Sequence, residues 1–232
     1  QIISELPKDE VRELWGTGMA MIFQDPMTAL NPVRRIGSQL TESLTVRLGM
    51  NKKDAKLKAV ELLKRVRIPD PESMLRKFPY QLSGGMRQRI MIAIAVSCEP
   101  QLLFADEPTT ALDVTVQAQV LDLITELRKE SNMAMMLVTH DLGVVEEIAD
   151  DVVVMKQGKI IEQGTALEVL KKPKDPYTRG LLQCRPDADQ KLFRLLTVAD
   201  FESNAQPTRL LRSDSSENRG VFLSVDSLCK RY

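Results

Sequence analysis

The stretch LLFADE, residues 102–107, ends in two adjacent carboxylates. A parallel strand delivers its last side chains to the carboxyl edge of a sheet, where α/β proteins bind ligands. Asp106 could there hold Mg²⁺, usually through water. Glu107, one residue on, points elsewhere and could polarise an attacking water. The plain alternative is two solvated carboxylates at a strand end. LSGG, residues 82–85, precedes a long apolar run. Ser83 can cap a helix there, and Gly84 and Gly85 let the backbone approach a ligand. The free N–H groups and the helix dipole then favour a phosphate, although a glycine-rich turn before a helix explains the same residues. His140, the only histidine, ends VTH. It could hydrogen-bond a terminal phosphate or serve a structural role. Gln24 ends MIFQ, where an amide can orient water or a metal ligand, or be a polar loop residue.

The elements that must position these groups are legible in the hydrophobic spacing. MAMIF (19–23) reads as a buried strand. Residues 25–50 are punctuated by proline and asparagine, then roughly helical. Asn51 can cap a helix over 52–67, and Asp70-Pro71 starts a short one. Residues 86–98 are apolar nearly all round and read as a buried helix. QLLFADE (101–107) is a strand, Asp113 caps a helix over 114–130, and MAMMLVTH (133–140) reads as a second buried strand. A short helix is expected at 141–149 and a hairpin over 151–164, turning at Gln157-Gly158. TALE (165–168) is a capping box for a last helix. Strands alternating with helices at these lengths argue for a parallel sheet in an α/β domain.

Composition sets the outer limits. The chain has 232 residues, 43% hydrophobic and 28% charged, with 32 Lys plus Arg against 32 Asp plus Glu. That balance argues for neither a nucleic-acid partner nor an acidic tail. No apolar stretch approaches the roughly 18 residues of a membrane span. QIISELPKDE has neither the basic start nor the apolar core of a secretory signal. The three cysteines, Cys98, Cys184 and Cys229, lack metal or disulfide spacing and fit a reducing cytosol.

Order along the chain carries the argument further. The Gln after MIF, then LSGGMRQR, LLFADEP, ALD and VTHD occur in succession over residues 19–164. This series resembles the ATP-binding cassette (ABC) ATPases, with matches to their Q-loop, signature, Walker B, D-loop and H-loop. QDPMTALNP, FPYQLSGGMRQR, ADEPTTALDVTVQAQVLDL, THDLGVVEEIADDVVVM and DPYTRGLL are similar to the peptide/nickel import branch. The resemblance implies a P-loop NTPase-like parallel sheet core with an inserted helical subdomain at about 36–98. It implies an ATPase that uses ATP and Mg²⁺ to power uptake of di- or oligopeptides. It places Gln24 at the γ-phosphate and Mg²⁺ region and sets Ser83, Gly84, Gly85 and Gln88 against nucleotide held by the opposite cassette. Asp106 then supports Mg²⁺, Glu107 is the base, Asp113 signals across a dimer and His140 stabilises the γ-phosphate. Residues 25–46 line a surface for a permease coupling helix. The implied partners are a second cassette, integral-membrane permease subunits and, indirectly, a solute-binding protein. The implied location is the cytoplasmic face of the bacterial inner membrane.

The reaction also needs a G-x-x-x-x-G-K-[ST] loop to cradle the phosphates, and none occurs among the eleven glycines. In the family this loop precedes Gln24, so the domain at 1–185 is expected to be truncated at its N-terminus. Residues 186–219 are charged and weakly periodic and read as a linker. VFLSVDSLCKRY (221–232) alternates like a fresh strand. It resembles the opening of a second cassette, with Tyr232 at the adenine-stacking position, or else is a C-terminal strand of the same domain. Two other readings stand beside the importer: a catalytically incomplete docking module, and a non-transport ABC ATPase acting on ribosomes or DNA. The second predicts a basic surface or coiled-coil insertion, and the sequence has neither.

Overall fold

The computed structural model describes residues 3–110, 112–184, 197, 198 and 201. The chain divides into two compact units, residues 1–141 and 142–232.

In the first unit, α1 (Lys8–Leu14) precedes β1 (Met19–Ile22). Then come α2 (Pro26–Ala29), α3 (Ile36–Leu48), α4 (Lys52–Arg65), α5 (Pro71–Met74) and α6 (Gly84–Val96). β2 (Leu102–Asp106), α7 (Val114–Glu130) and β3 (Ala134–Val138) complete it. The strands lie in the order β1-β2-β3, all parallel. The helix starts follow the capping residues. Asp25 and Asp70 each cap a helix whose first residue is proline, where the fixed φ suits the turn and no N–H is lost to the ladder. Asn51 accepts from the N–H groups of Lys53 and Asp54 at 3.1 and 3.0 Å. Gly49, at φ 64°, ends α3 in the left-handed conformation that glycine adopts without a Cβ clash.

One apolar core joins the helices to the sheet. Ile36, Leu40 and Leu44 recur every four residues on α3 and are fully buried. They share a cluster with Leu62 and Leu63 of α4, Ile90 and Ile92 of α6, Leu103 of β2 and Leu123 of α7. The helices between β1 and β2 therefore fold as part of the sheet's own core. Arg65–Glu130 at 2.8 Å and Arg67–Glu126 at 2.6 Å also tie the end of α4 and the residues just after it to α7. Exposed pairs of this kind add little stability beside that burial.

The sheet corrects one expectation. MAMMLVTH reads as a strand buried on both faces, but β3 alternates. Met135 and Leu137 pack against the core, while Met136 is 52% and Val138 49% exposed. Both faces of the run are apolar, so the sequence carries no sign of which face the helices cover.

In the second unit, α8 (Leu142–Ile148) leads into an antiparallel hairpin of β4 (Asp151–Lys156) and β5 (Lys159–Thr165). Its turn is at Gln157 and Gly158, both at positive φ, as a two-residue hairpin loop requires. Thr165 and Glu168 form the expected capping box at the head of α9 (Ala166–Lys171). α10 (Pro176–Gln183) follows, capped by Asp175. The carboxylate of Glu162 on β5 accepts from the N–H groups of Lys174 and Asp175 at 2.8 and 3.1 Å, fixing where α10 begins. The linker expected at 186–219 lies outside the described residues apart from 197, 198 and 201. The strand expected at 220–232, with Tyr232, lies wholly outside them.

Candidate active site

Because β1, β2 and β3 run parallel, their carboxyl ends open at one edge. Gln24 follows β1 by two residues, Glu107 follows β2 by one and His140 follows β3 by two. The Glu107 N–H donates to the Val138 carbonyl at 2.9 Å, extending the ladder one step past the strand. At that point the chain turns sharply, with Glu107 at φ 40°. A left-handed non-glycine residue costs about 1–3 kcal/mol and persists only where its surroundings over-determine it.

Three side chains from three loops converge on Glu107. Gln24 Nε2 donates to Oε2 at 2.9 Å. Thr110 Oγ1 donates to the same oxygen at 2.8 Å. His140 Nδ1 lies 2.9 Å from Oε1, so with an ionised carboxylate the Nδ1 proton faces Glu107. The His140 hydrogen bond is the largest cause holding the Glu107 carboxyl below its ordinary value, followed by Thr110; the His140 charge and Gln24 add to it. The same hydrogen bond, then the Glu107 charge, raises His140 above its ordinary value. Glu107 is 24% exposed and His140 79%, so the cluster opens to solvent on the histidine side. Thr110 is the member that sequence reasoning missed. The available signal was a hydroxyl three residues beyond the candidate base, within the same turn.

The Ser83–Gly85 corner takes its expected form. Ser83 Oγ accepts from the Met86 N–H at 3.3 Å and caps α6. The N–H groups of Gly84 and Gly85 precede the first helical acceptor and face out. Both Ser83 and Gly84 are exposed. A Cβ on Gly85 would fall 3.0 Å from Cγ1 of Val116, on the first turn of α7. Asp113 caps α7 through the Val116 N–H at 2.9 Å and is itself exposed. Gln88 is 2% exposed, and its amide donates to the Pro108 carbonyl. In this arrangement it ties the signature helix to the loop that carries Glu107.

Among the described residues no group of three or more His, Cys, Asp or Glu could hold a metal ion. One strand-end carboxylate with a nearby amide fits Mg²⁺, which keeps several waters and takes further oxygens from substrate phosphates. Asp106 and Gln24 would be its protein-side contacts, and the exposed corner of α6 fits an anion.

This parallel edge, with its capped glycine corner, has the architecture of a P-loop NTPase-like ATP-binding cassette. Residues 2–110, a little under half of the chain, match the family model described as "ABC transporter". Its relatives include the dipeptide transport ATP-binding protein DppD of Haemophilus influenzae, 52% identical over 79% of this chain and 56% of that protein. DppD of Escherichia coli K12 is 48% identical over 85% of this chain and 61% of its own length. The glutathione import ATP-binding protein GsiA of Escherichia coli K12 is 51% identical over 79% of this chain and 30% of its own length. The chain thus spans little more than half the length of the DppD relatives. Among solved structures, a dimeric post-hydrolysis state of the cassette MJ0796 bound to ADP and Pi matches with a TM-score of 0.61. It is 26% identical and covers 70% of this chain and 68% of the other.

Proposed function

We propose that the full gene product hydrolyses ATP to drive uptake of a peptide or related solute through integral-membrane permease subunits. The observation that carries this reading is the convergence of Gln24, Thr110 and His140 on Glu107 at the carboxyl edge of the sheet. Glu107 is the base that takes a proton from the attacking water. Thr110 orients its carboxylate. Gln24 and His140 hold that carboxylate until phosphate oxygens offer them other partners. Bound Mg²⁺ would supply charge neutralisation at the phosphates, with Asp106 supporting it. The N–H groups of Gly84 and Gly85, beside Ser83, present an anion-binding corner to nucleotide seated on a second cassette, and Asp113 relays between the two. Gln88 acts through position by fixing that corner to the Glu107 loop.

The domain limits proposed are 1–185, 186–219 and 220–232. Tyr232 is proposed to stack on adenine in a second cassette. No helix among the described residues is long and apolar enough to cross a membrane, which suits a subunit peripheral to the cytoplasmic face of the inner membrane. The dipeptide and glutathione importer relatives support a peptide-class solute, delivered by a solute-binding protein. The test is uptake of labelled di- and tripeptides by cells lacking the gene and complemented with it. Restored uptake supports the reading, and wild-type uptake without the gene overturns it.

A further inference from the structure

α7 faces the core along Val120, Leu123, Ile124 and Leu127, all buried. Counted back at helical spacing from Leu127 through Ile124 and Val120, the same stripe reaches position 117. A glutamine stands there in place of an apolar residue, half-buried. Its Nε2 donates to Oδ2 of Asp141 at 3.3 Å, 24 residues away in sequence. A half-buried amide on an apolar stripe weakens the packing unless it is hydrogen-bonded, so the contact with Asp141 accounts for the polar side chain at this position.

Asp141 directly follows His140. Its N–H donates to Thr139 Oγ1 at 3.0 Å, so the residues on either side of the histidine close a small turn with His140 at its tip. The His140 side chain is 79% exposed, and its place therefore depends on that turn and on the Glu107 contact. The same first turn of α7 carries Val116, which lies against the Gly85 corner, and is capped by Asp113. One turn of helix thus touches both the glycine corner and the histidine turn.

We propose that Gln117 is a positioning residue for ATP hydrolysis: by holding Asp141 it sets where the His140 turn stands against Glu107 and the terminal phosphate. The proposal rests on the reading of the Glu107 cluster as the hydrolytic site. Gln117 itself touches neither nucleotide nor the base and acts through its two neighbours in space, Asp141 and the turn. The stripe supplies a way to separate this role from simple fastening of α7. Leucine at 117 continues the apolar stripe while removing the donor, so it suits the packing and fails only in holding Asp141. Glutamate keeps the size and sets a carboxylate against Asp141. Gln117→Glu combined with Asp141→Asn reverses donor and acceptor across the same gap.

The experiment measures kcat and KM for ATP in the full gene product, with the urea midpoint of unfolding followed for each variant. Gln117→Leu is expected to lower kcat by about tenfold, the lower end of what a hydrogen bond to a charged group is worth. KM for ATP is expected to stay at its wild-type value, and the urea midpoint at or above its own. Gln117→Glu is expected to lower kcat further, and Gln117→Glu/Asp141→Asn to return most of the rate. A urea midpoint that falls together with kcat in Gln117→Leu overturns the proposal and leaves only a structural fastening. A wild-type kcat in Gln117→Glu overturns it as well, and so does a swapped pair no faster than Gln117→Glu. Each of these results leaves the hydrolytic reading of Glu107 intact. Absence of ATP hydrolysis by the wild-type protein overturns both.

Discussion

His140 Nδ1 and Glu107 Oε1 stand 2.9 Å apart although 33 residues separate them in sequence. The two strands that deliver them are neighbours, with Asp106 paired to Val138 in the parallel register. The pairing raises His140 above its ordinary value of 6.5 and lowers Glu107 below its ordinary 4.5. The histidine's contribution is fully present below 6.5 and fades as pH rises through its raised folded value. The glutamate's is present above 4.5 and fades as pH falls through its lowered folded value. The charge-assisted form of the contact is therefore favoured between the lowered Glu107 value and the raised His140 value. His140 is the only histidine, so one imidazole signal reports the whole transition by NMR. Its midpoint should lie above 6.5 and fall toward the ordinary histidine range in Glu107→Gln. An unchanged midpoint in that variant would mean that the two side chains do not meet in solution.

Much of this arrangement was legible in the residues because strand ends announce themselves. LLFADE and VTH each close an apolar run with a polar group, and parallel pairing brings such ends to one edge. The Asp-Pro and Asn caps placed α4 and α5, and the same signal at Asp175-Pro176 marks α10. What remained hidden depends on partners distant in sequence. The open face of β3 depends on which side α6 and α7 cover. The burial of Gln88 depends on a carbonyl 20 residues away. Thr110 shows its role only once the φ of 40° at Glu107 folds the chain back over its own carboxylate.

Thr110 provides the second prediction. Thr110→Val keeps the shape and removes the donor, and hydrogen bonds to charged groups are worth about 1.5–3 kcal/mol. In the full gene product kcat should fall by roughly tenfold to a hundredfold, from that range, while KM for ATP stays near its wild-type value. Thr110→Ser should recover most of the rate. A matching loss in the serine variant would show that packing, not the hydroxyl, matters at this position.

The glycine corner gives a third. A Cβ at position 85 meets Val116 at 3.0 Å, and a β-branched neighbour has few rotamers with which to yield. Gly85→Ala should lower the urea midpoint of unfolding, and adding Val116→Ala should recover part of the loss. The coupling between the two changes should be roughly 0.5–3 kcal/mol, as for residues in contact. Additive effects would show that the α6 tip and α7 are not packed together as described.

The most direct measurement is the rate of ATP hydrolysis by the full gene product carrying Glu107→Gln, with nucleotide binding followed in parallel. Replacing a general base removes about 10²–10⁴-fold of rate. Turnover should drop by that order while ATP remains bound, and the two cassettes should stay closed around it. Hydrolysis at the wild-type rate would contradict the account, because the carboxylate on which Gln24, Thr110 and His140 converge would then have no part in activating water.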